Sequence, residues 1–141
     1  MLLLDTNVLS ELMRPAPDRR VLDWLRLQPL ASMATSAISV MEIRFGLARL
    51  PQGLRRAGLE ARFEELLRSS LGDRIVPFDG AAAEQAAHVR SERTAIGRPI
   101  PTEDAMIAGI GRTRNATIVT RDAGGFAHAA VAVVDPWTDG S

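Results

Sequence analysis

Four carboxylates stand where a metal-dependent chemistry would want them. Asp5 directly follows the apolar run Leu2-Leu3-Leu4, and Asp122 lies two residues beyond the apolar stretch Thr117–Thr120. Asp104 falls in the first turn expected after Pro101, where the positive end of a helix dipole favours an acid. Glu42 lies within a helical pattern, four residues after Ile38 and three before Phe45, so it borders an apolar face. A carboxylate at such an edge is expensive unless it is paired or bound to a cation. The four are separated by 37, 62 and 18 residues, and only a fold that converges the ends of its strands could bring them together. If gathered, four anions could not all stay ionised without a cation. Oxygen-only ligands suit hard ions, Mg²⁺ or Mn²⁺. The natural chemistry of such a site is metal-assisted phosphodiester hydrolysis. Three of the acids also have a structural role open to them, Asp5 as a helix cap, Asp104 beside Glu103 as a dipole-favoured acid, and Asp122 before Gly124-Gly125 as a turn residue, whereas Glu42 stands where its helix could place any apolar residue.

The elements that must position these residues alternate between strand and helix. Leu2–Leu4 reads as a short buried strand. Thr6 opens a helix carrying Val8, Leu9, Leu12 and Met13, which Pro15 and Pro17 end. Asp18 can cap a second helix with Val21, Leu22 and Leu25. Residues 31–36 are a strand candidate, and residues 37–50 return to helical spacing with Ile38, Met41, Phe45 and Ala48 on one side. A long amphipathic helix bearing Leu59, Phe63, Leu66, Leu67 and Leu71 follows, with Arg55, Arg56, Arg62 and Arg68 toward solvent, and Gly72 closes it. Arg74 to Phe78 reads as a strand, Asp79 as the cap of an alanine-rich helix over 80–96, and Thr102 as the cap of a helix to about Arg114. Thr117–Thr120 and Ala130–Val134 complete the strands. This order predicts one α/β domain over residues 1–141 with a mostly parallel central sheet; strand order is not readable from it.

Composition narrows the chemistry. All 17 basic residues are arginine, against 17 acids, and there is no lysine, cysteine or tyrosine. A P-loop and Schiff-base chemistry both need lysine, and thiol nucleophiles, disulfides and thiolate metal sites need cysteine. No apolar run approaches a membrane span or a signal-peptide core, so the expectation is a cytoplasmic protein with no membrane partner.

The segment Met1-Leu2-Leu3-Leu4-Asp5-Thr6-Asn7-Val8-Leu9-Ser10-Glu11-Leu12 resembles the opening of the PIN-domain family, and more narrowly the VapBC-type (FitB-like) toxins. Three later segments agree in order and spacing: Ser39-Val40-Met41-Glu42-Ile43 with Phe45-Gly46, then Pro101 to Ala108, then Ile118 to Asp122. The resemblance extends over about residues 1–137. It implies a three-layer α/β/α domain whose carboxylates bind Mg²⁺ or Mn²⁺ and cleave RNA. Asp5, Glu42, Asp104 and Asp122 match the acidic cluster, with Asp5 and Asp104 as principal ligands. Thr6, Asn7 and Thr120 match the supporting residues. The resemblance also implies a toxin neutralised by a cognate antitoxin, a homodimer, and promoter DNA met only indirectly through the antitoxin. One departure stands out. Many relatives carry a further aspartate just before the phenylalanine after the last motif, whereas here Gly125 precedes Phe126, leaving a fifth carboxylate absent or supplied by Glu103.

Other residues weigh less. Arg112 and Arg121 are candidates for meeting RNA, because guanidinium grips phosphate bidentately; a solvated or ion-paired arginine is the alternative for each. His88 and His128 accompany no carboxylate motif. The aromatics are too few and scattered for a base-stacking platform, and Phe45, Phe63 and Phe78 read as core. Two competing functions stay open: a catalytically silent PIN-like binding module, and aspartyl-phosphate phosphotransfer, against which the absence of lysine argues. The 17-to-17 balance hides a segregation: with four acids committed to metal, the remaining body carries a net +4, enough to attract a polyanion.

Overall fold

The computed structural model describes residues 1–138. Five parallel strands form one sheet: β1 (Leu2–Leu4), β2 (Met33–Ser36), β3 (Ile75–Val76), β4 (Thr117–Val119) and β5 (Ala132–Val134), in the order β3-β2-β1-β4-β5. The expectation of a mostly parallel sheet is met by a wholly parallel one. β1 is central: Leu3 sits in register with Ala34 on one side and Ile118 on the other. Strand order therefore reverses direction at β1/β4, the place where open α/β sheets leave a crevice beyond their carboxyl ends.

Six helices cover the sheet: α1 (Thr6–Leu12), α2 (Arg19–Arg26), α3 (Ala37–Ala48), α4 (Leu54–Glu65), α5 (Gly80–Ala95) and α6 (Thr102–Arg114). The pleat divides the strand side chains between two cores. Leu3, Ala34 and Ile118 face one with Ala82, Val89, Ala105 and Ile107 from α5 and α6. Leu4, Met33 and Val119 face the other with Val8, Leu9, Val21 and Phe63 from α1, α2 and α4. These are the three layers α/β/α.

Local chemistry explains most boundaries. Asp5, Asp18 and Asp79 cap α1, α2 and α5 through their side chains. Ser36 caps α3, accepting from the Ser39 amide at 3.0 Å. α4 runs on through one wider turn at Leu66–Ser70, after which Gly72, at φ +52°, ends it. Asn115 takes the left-handed position after α6. At Gly109 a β-carbon would meet the Ala86 amide at 2.8 Å; its absence lets α6 pack onto α5, and so fixes where the start of α6 sits.

Several expectations are corrected. Thr102 is the first helical residue of α6 and does not cap it; Pro101 occupies the cap position, with no side-chain cap. The third strand shrinks to Ile75–Val76, with Phe78 beyond it packed against the core. On α3 the buried residues are Ile38, Ser39, Ile43 and Leu47, whereas Met41 and Phe45 are 50% and 61% exposed. Phe45 is thus not core; Arg49 lies over its ring at 5.5 Å. Helical period identifies stripes, but α3 carries two apolar ones, and only its orientation on the sheet selects which is buried. Phe63 is fully buried, as expected. Among the described residues no helix is long and apolar enough to cross a membrane.

Candidate active site

A cavity of about 460 Å³ opens beyond the carboxyl ends of β1 and β4, lined by Asp5, Glu42, Asp104 and Asp122 together with Thr6, Asn7 and Arg121. The four carboxylates drawn from four separate segments therefore meet in one place. Three further lining residues were given no role in the sequence: Ser10, Glu11 and Trp137 complete the walls. Ser10 and Glu11 lie one helical turn beyond Thr6 and Asn7, a spacing that marks them as sharing that face. Trp137 reaches the cavity from the far end of the chain, and no local pattern announces it.

Asp5 leaves β1 with its amide bonded to the Val119 carbonyl at 2.9 Å. Its Oδ1 accepts from the Thr6 amide at 2.8 Å and its Oδ2 from the Thr120 hydroxyl at 2.8 Å. The carboxylate that caps α1 thus also lines the cavity. Asp5 is only 6% exposed, and burial raises its pKa above the ordinary carboxylate value against the lowering effect of the Thr120 and Thr6 hydrogen bonds, with the Asp122 charge also raising it.

Thr120, fully buried, is the junction of the site. Besides donating to Asp5, its hydroxyl accepts from Asn7 Nδ2 and from the Asp122 amide, both at 3.0 Å. Asn7 Oδ1 in turn accepts from the Arg121 amide at 3.1 Å. One hydroxyl therefore ties the ends of β1 and β4 together with every bonding position filled. On the other side, the Thr6 hydroxyl donates to Glu42 Oε1 at 2.8 Å and lies 3.1 Å from Ser39 Oγ. Asp122 Oδ1 accepts from the Gly125 amide at 3.1 Å.

Among the described residues Asp104 has no such partner. It sits half-buried in the first turn of α6, and its pKa is pushed up to about 6. Burial is the first cause, followed by the charges of Asp5, Asp122, Glu42 and Glu103. Among the described residues, no three acids are already gathered as a ligand cage; Asp5, Glu42 and Asp122 each hold a local donor instead. The donor set is nevertheless all oxygen, and the crowding felt at Asp104 is what a hard cation would relieve.

The two candidate RNA-binding arginines part company. Arg121 lines the cavity, with its guanidinium 4.9 Å from the Trp137 ring centroid. Arg112 lies at the opposite, amino end of β4 and β5, in a separate cavity with Thr117 and Ala132, and its Nη1 stands 3.6 Å from Glu92 Oε2. The structure does not bring Arg112 to the acidic cavity, because it sits late on α6 and that helix runs away from the strand ends. His88 and His128 are exposed and do not line the cavity.

The architecture, a doubly wound parallel sheet with an acidic cavity at its switch point, defines the class: an α/β/α domain built to place carboxylates at strand ends. The PIN domain model matches residues 2–132, and the chain belongs to the PIN-domain family. It is 41% identical to Toxin FitB of Neisseria gonorrhoeae over 99% of this chain and all of that one. It is 37% identical to the VapC ribonuclease Y4jK of Sinorhizobium fredii, over 97% of this chain and 98% of that protein. The solved structure of FitAB bound to an IR36 DNA fragment superposes with a TM-score of 0.89 at 41% identity, covering 97% of this chain and 96% of that one.

Proposed function

We propose that this chain is a Mg²⁺- or Mn²⁺-dependent endoribonuclease, the toxin of a type II toxin–antitoxin pair. The observation that carries the reading is the convergence of Asp5, Glu42, Asp104 and Asp122 on one cavity at the switch point of the sheet. The names of its relatives, a FitB toxin and a VapC ribonuclease, support the same reading.

Asp5 and Asp104 would be the principal ligands of the ion, with Glu42 and Asp122 completing the set directly or through water. When bound, the cation lowers the pKa of water and stabilises charge on a phosphoryl group. The chain's own residues supply the rest. Thr120 and the Thr6 amide together fix both oxygens of Asp5. Thr6 holds Glu42, and through it α3, against the start of α1. Arg121, oriented by the Trp137 ring, offers a guanidinium at the rim to an RNA phosphate.

A cognate antitoxin is the proposed regulator. A larger, mostly apolar groove of about 770 Å³ between α1, α3 and α4 adjoins the acidic cavity and shares Thr6, Ser10 and Glu42 with it. A peptide laid along that groove would reach the carboxylates. The family resemblance implies a homodimer that meets promoter DNA only through the antitoxin, and the similar FitAB structure is one bound to a DNA fragment.

Purified protein tests the reading directly. It should cleave single-stranded RNA with Mg²⁺ or Mn²⁺ and stop with EDTA; cleavage that persists without metal rejects the mechanism. Asp5→Asn should lose both cleavage and growth arrest on expression, and a fully toxic variant would favour the binding-only alternative.

A further inference from the structure

The turn after β4 contains a glycine that its backbone does not demand. The glycines in the left-handed region or beyond are Gly53, Gly72 and Gly97, and Gly125 is not among them. What excludes a side chain at 125 is Asp122. A β-carbon there would lie 2.7 Å from Asp122 Cγ and 3.0 Å from Oδ1, and closer still to Oδ2. Such contacts are not sustainable, so either the backbone of the turn or the carboxylate must give way.

The backbone is held. Arg93, on α5 and only 8% exposed, donates from Nη1 to the Gly125 carbonyl at 2.9 Å and to the Ala127 carbonyl at 3.0 Å, and from Nε to the Arg98 carbonyl at 2.6 Å. Phe126, between the two clamped carbonyls, is anchored in the core. Asp122, by contrast, is exposed, has two free torsions and is steered by the single bond from the Gly125 amide. The carboxylate is the part that yields.

We infer that Gly125 is a positioning residue for Asp122: its empty side-chain position is the volume in which the Asp122 carboxylate sits, and the turn clamped by Arg93 makes positions 122 and 125 compete for that volume. Resting on the metal-dependent reading above, this means that any side chain at 125 turns Asp122 out of place and weakens cation binding while the fold survives. It also gives the departure at Gly125 a physical meaning. An acid at that position and the Asp122 carboxylate in its observed place exclude one another.

The test is a cycle of Gly125→Ala, Asp122→Ala and the double variant, with Mn²⁺ affinity read by titration calorimetry. Gly125→Ala should bind Mn²⁺ about tenfold more weakly than wild type, as loss of an orienting contact commonly does. The double variant should match Asp122→Ala within about twofold, since the two changes act through one carboxylate. An equal Gly125→Ala loss in both backgrounds overturns the inference. A crystal structure of Gly125→Ala should show the Asp122 carboxylate rotated away and its bond to the residue 125 amide gone. An unmoved carboxylate, or a variant that does not fold, overturns it as well. If wild type binds no Mn²⁺, the metal-dependent reading fails, and the crystal structure still decides the positioning role.

Discussion

Replacing Asp104 by Asn removes a charge that burial and the acids around it disfavour, and should stabilise the metal-free protein. Holding this carboxyl at about 6 against an ordinary 3.8 corresponds to about 3 kcal/mol of unfavourable interaction in the ionised fold. The side chain is half-buried, and solvent screening reduces this to about 1.5 kcal/mol. For a chain of this size that is a rise in Tm of about 5 °C. The sign follows from proton linkage. Because the folded carboxyl binds its proton more tightly than the unfolded one, wild type loses stability as pH rises from about 4 to about 6, and the loss is constant above that. The advantage of Asp104→Asn should therefore be absent near pH 4, grow through pH 6 and level off at pH 8. Thermal unfolding in EDTA across that range is the assay, with RNA cleavage measured alongside and expected to be lost. An Asn variant less stable than wild type at pH 8, or one with the same advantage at pH 4 and 8, would refute the reasoning that Asp104 is a strained carboxylate awaiting a cation.

Thr120→Val should cost about 1–3 kcal/mol in thermal or urea unfolding, because it strips buried partners from Asp5, Asn7 and the Asp122 amide. Thr120→Ser should retain the cleavage that Thr120→Val loses, and a Ser variant as impaired as Val would mean that the hydroxyl alone does not hold the site. Arg121→Ala should raise KM for RNA with kcat largely kept, and lower the salt slope of binding by about 1; a fall in kcat alone would move Arg121 from substrate binding into the chemistry.

How much of this was legible in the linear chain differs by kind of feature. Asp18 and Asp79 announce the helices they cap, and Thr117–Val119 and Leu2–Leu4 announce strands, since capping and alternation act over a few residues. The four acids could be picked out because Asp5, Asp104 and Asp122 stand near the ends of elements and Glu42 borders the apolar face of a helix. The face of α3 could not: Met41 and Phe45 follow Ile38 at helical spacing, yet the residues buried besides Ile38 are Ile43 and Leu47 of a second stripe, and only docking on the sheet chooses between the stripes. Nor could Trp137, whose place beside Arg121 depends on a chain end folding back across the sheet.

The short-range determinants, then, are written into residue type and spacing: the alternation of strands and helices, the caps, and acids set one or two residues past strands, with no lysine or cysteine to offer other chemistry. Tertiary structure alone decides the order β3-β2-β1-β4-β5, the separation of Arg112 from the acidic cavity, the crowding that lifts Asp104, and the shared volume of Asp122 and Gly125. The physical reason is range. Capping and dihedral preferences are settled among neighbours, whereas burial, electrostatic crowding and excluded volume depend on residues that meet only when segments far apart in the chain are packed against one another.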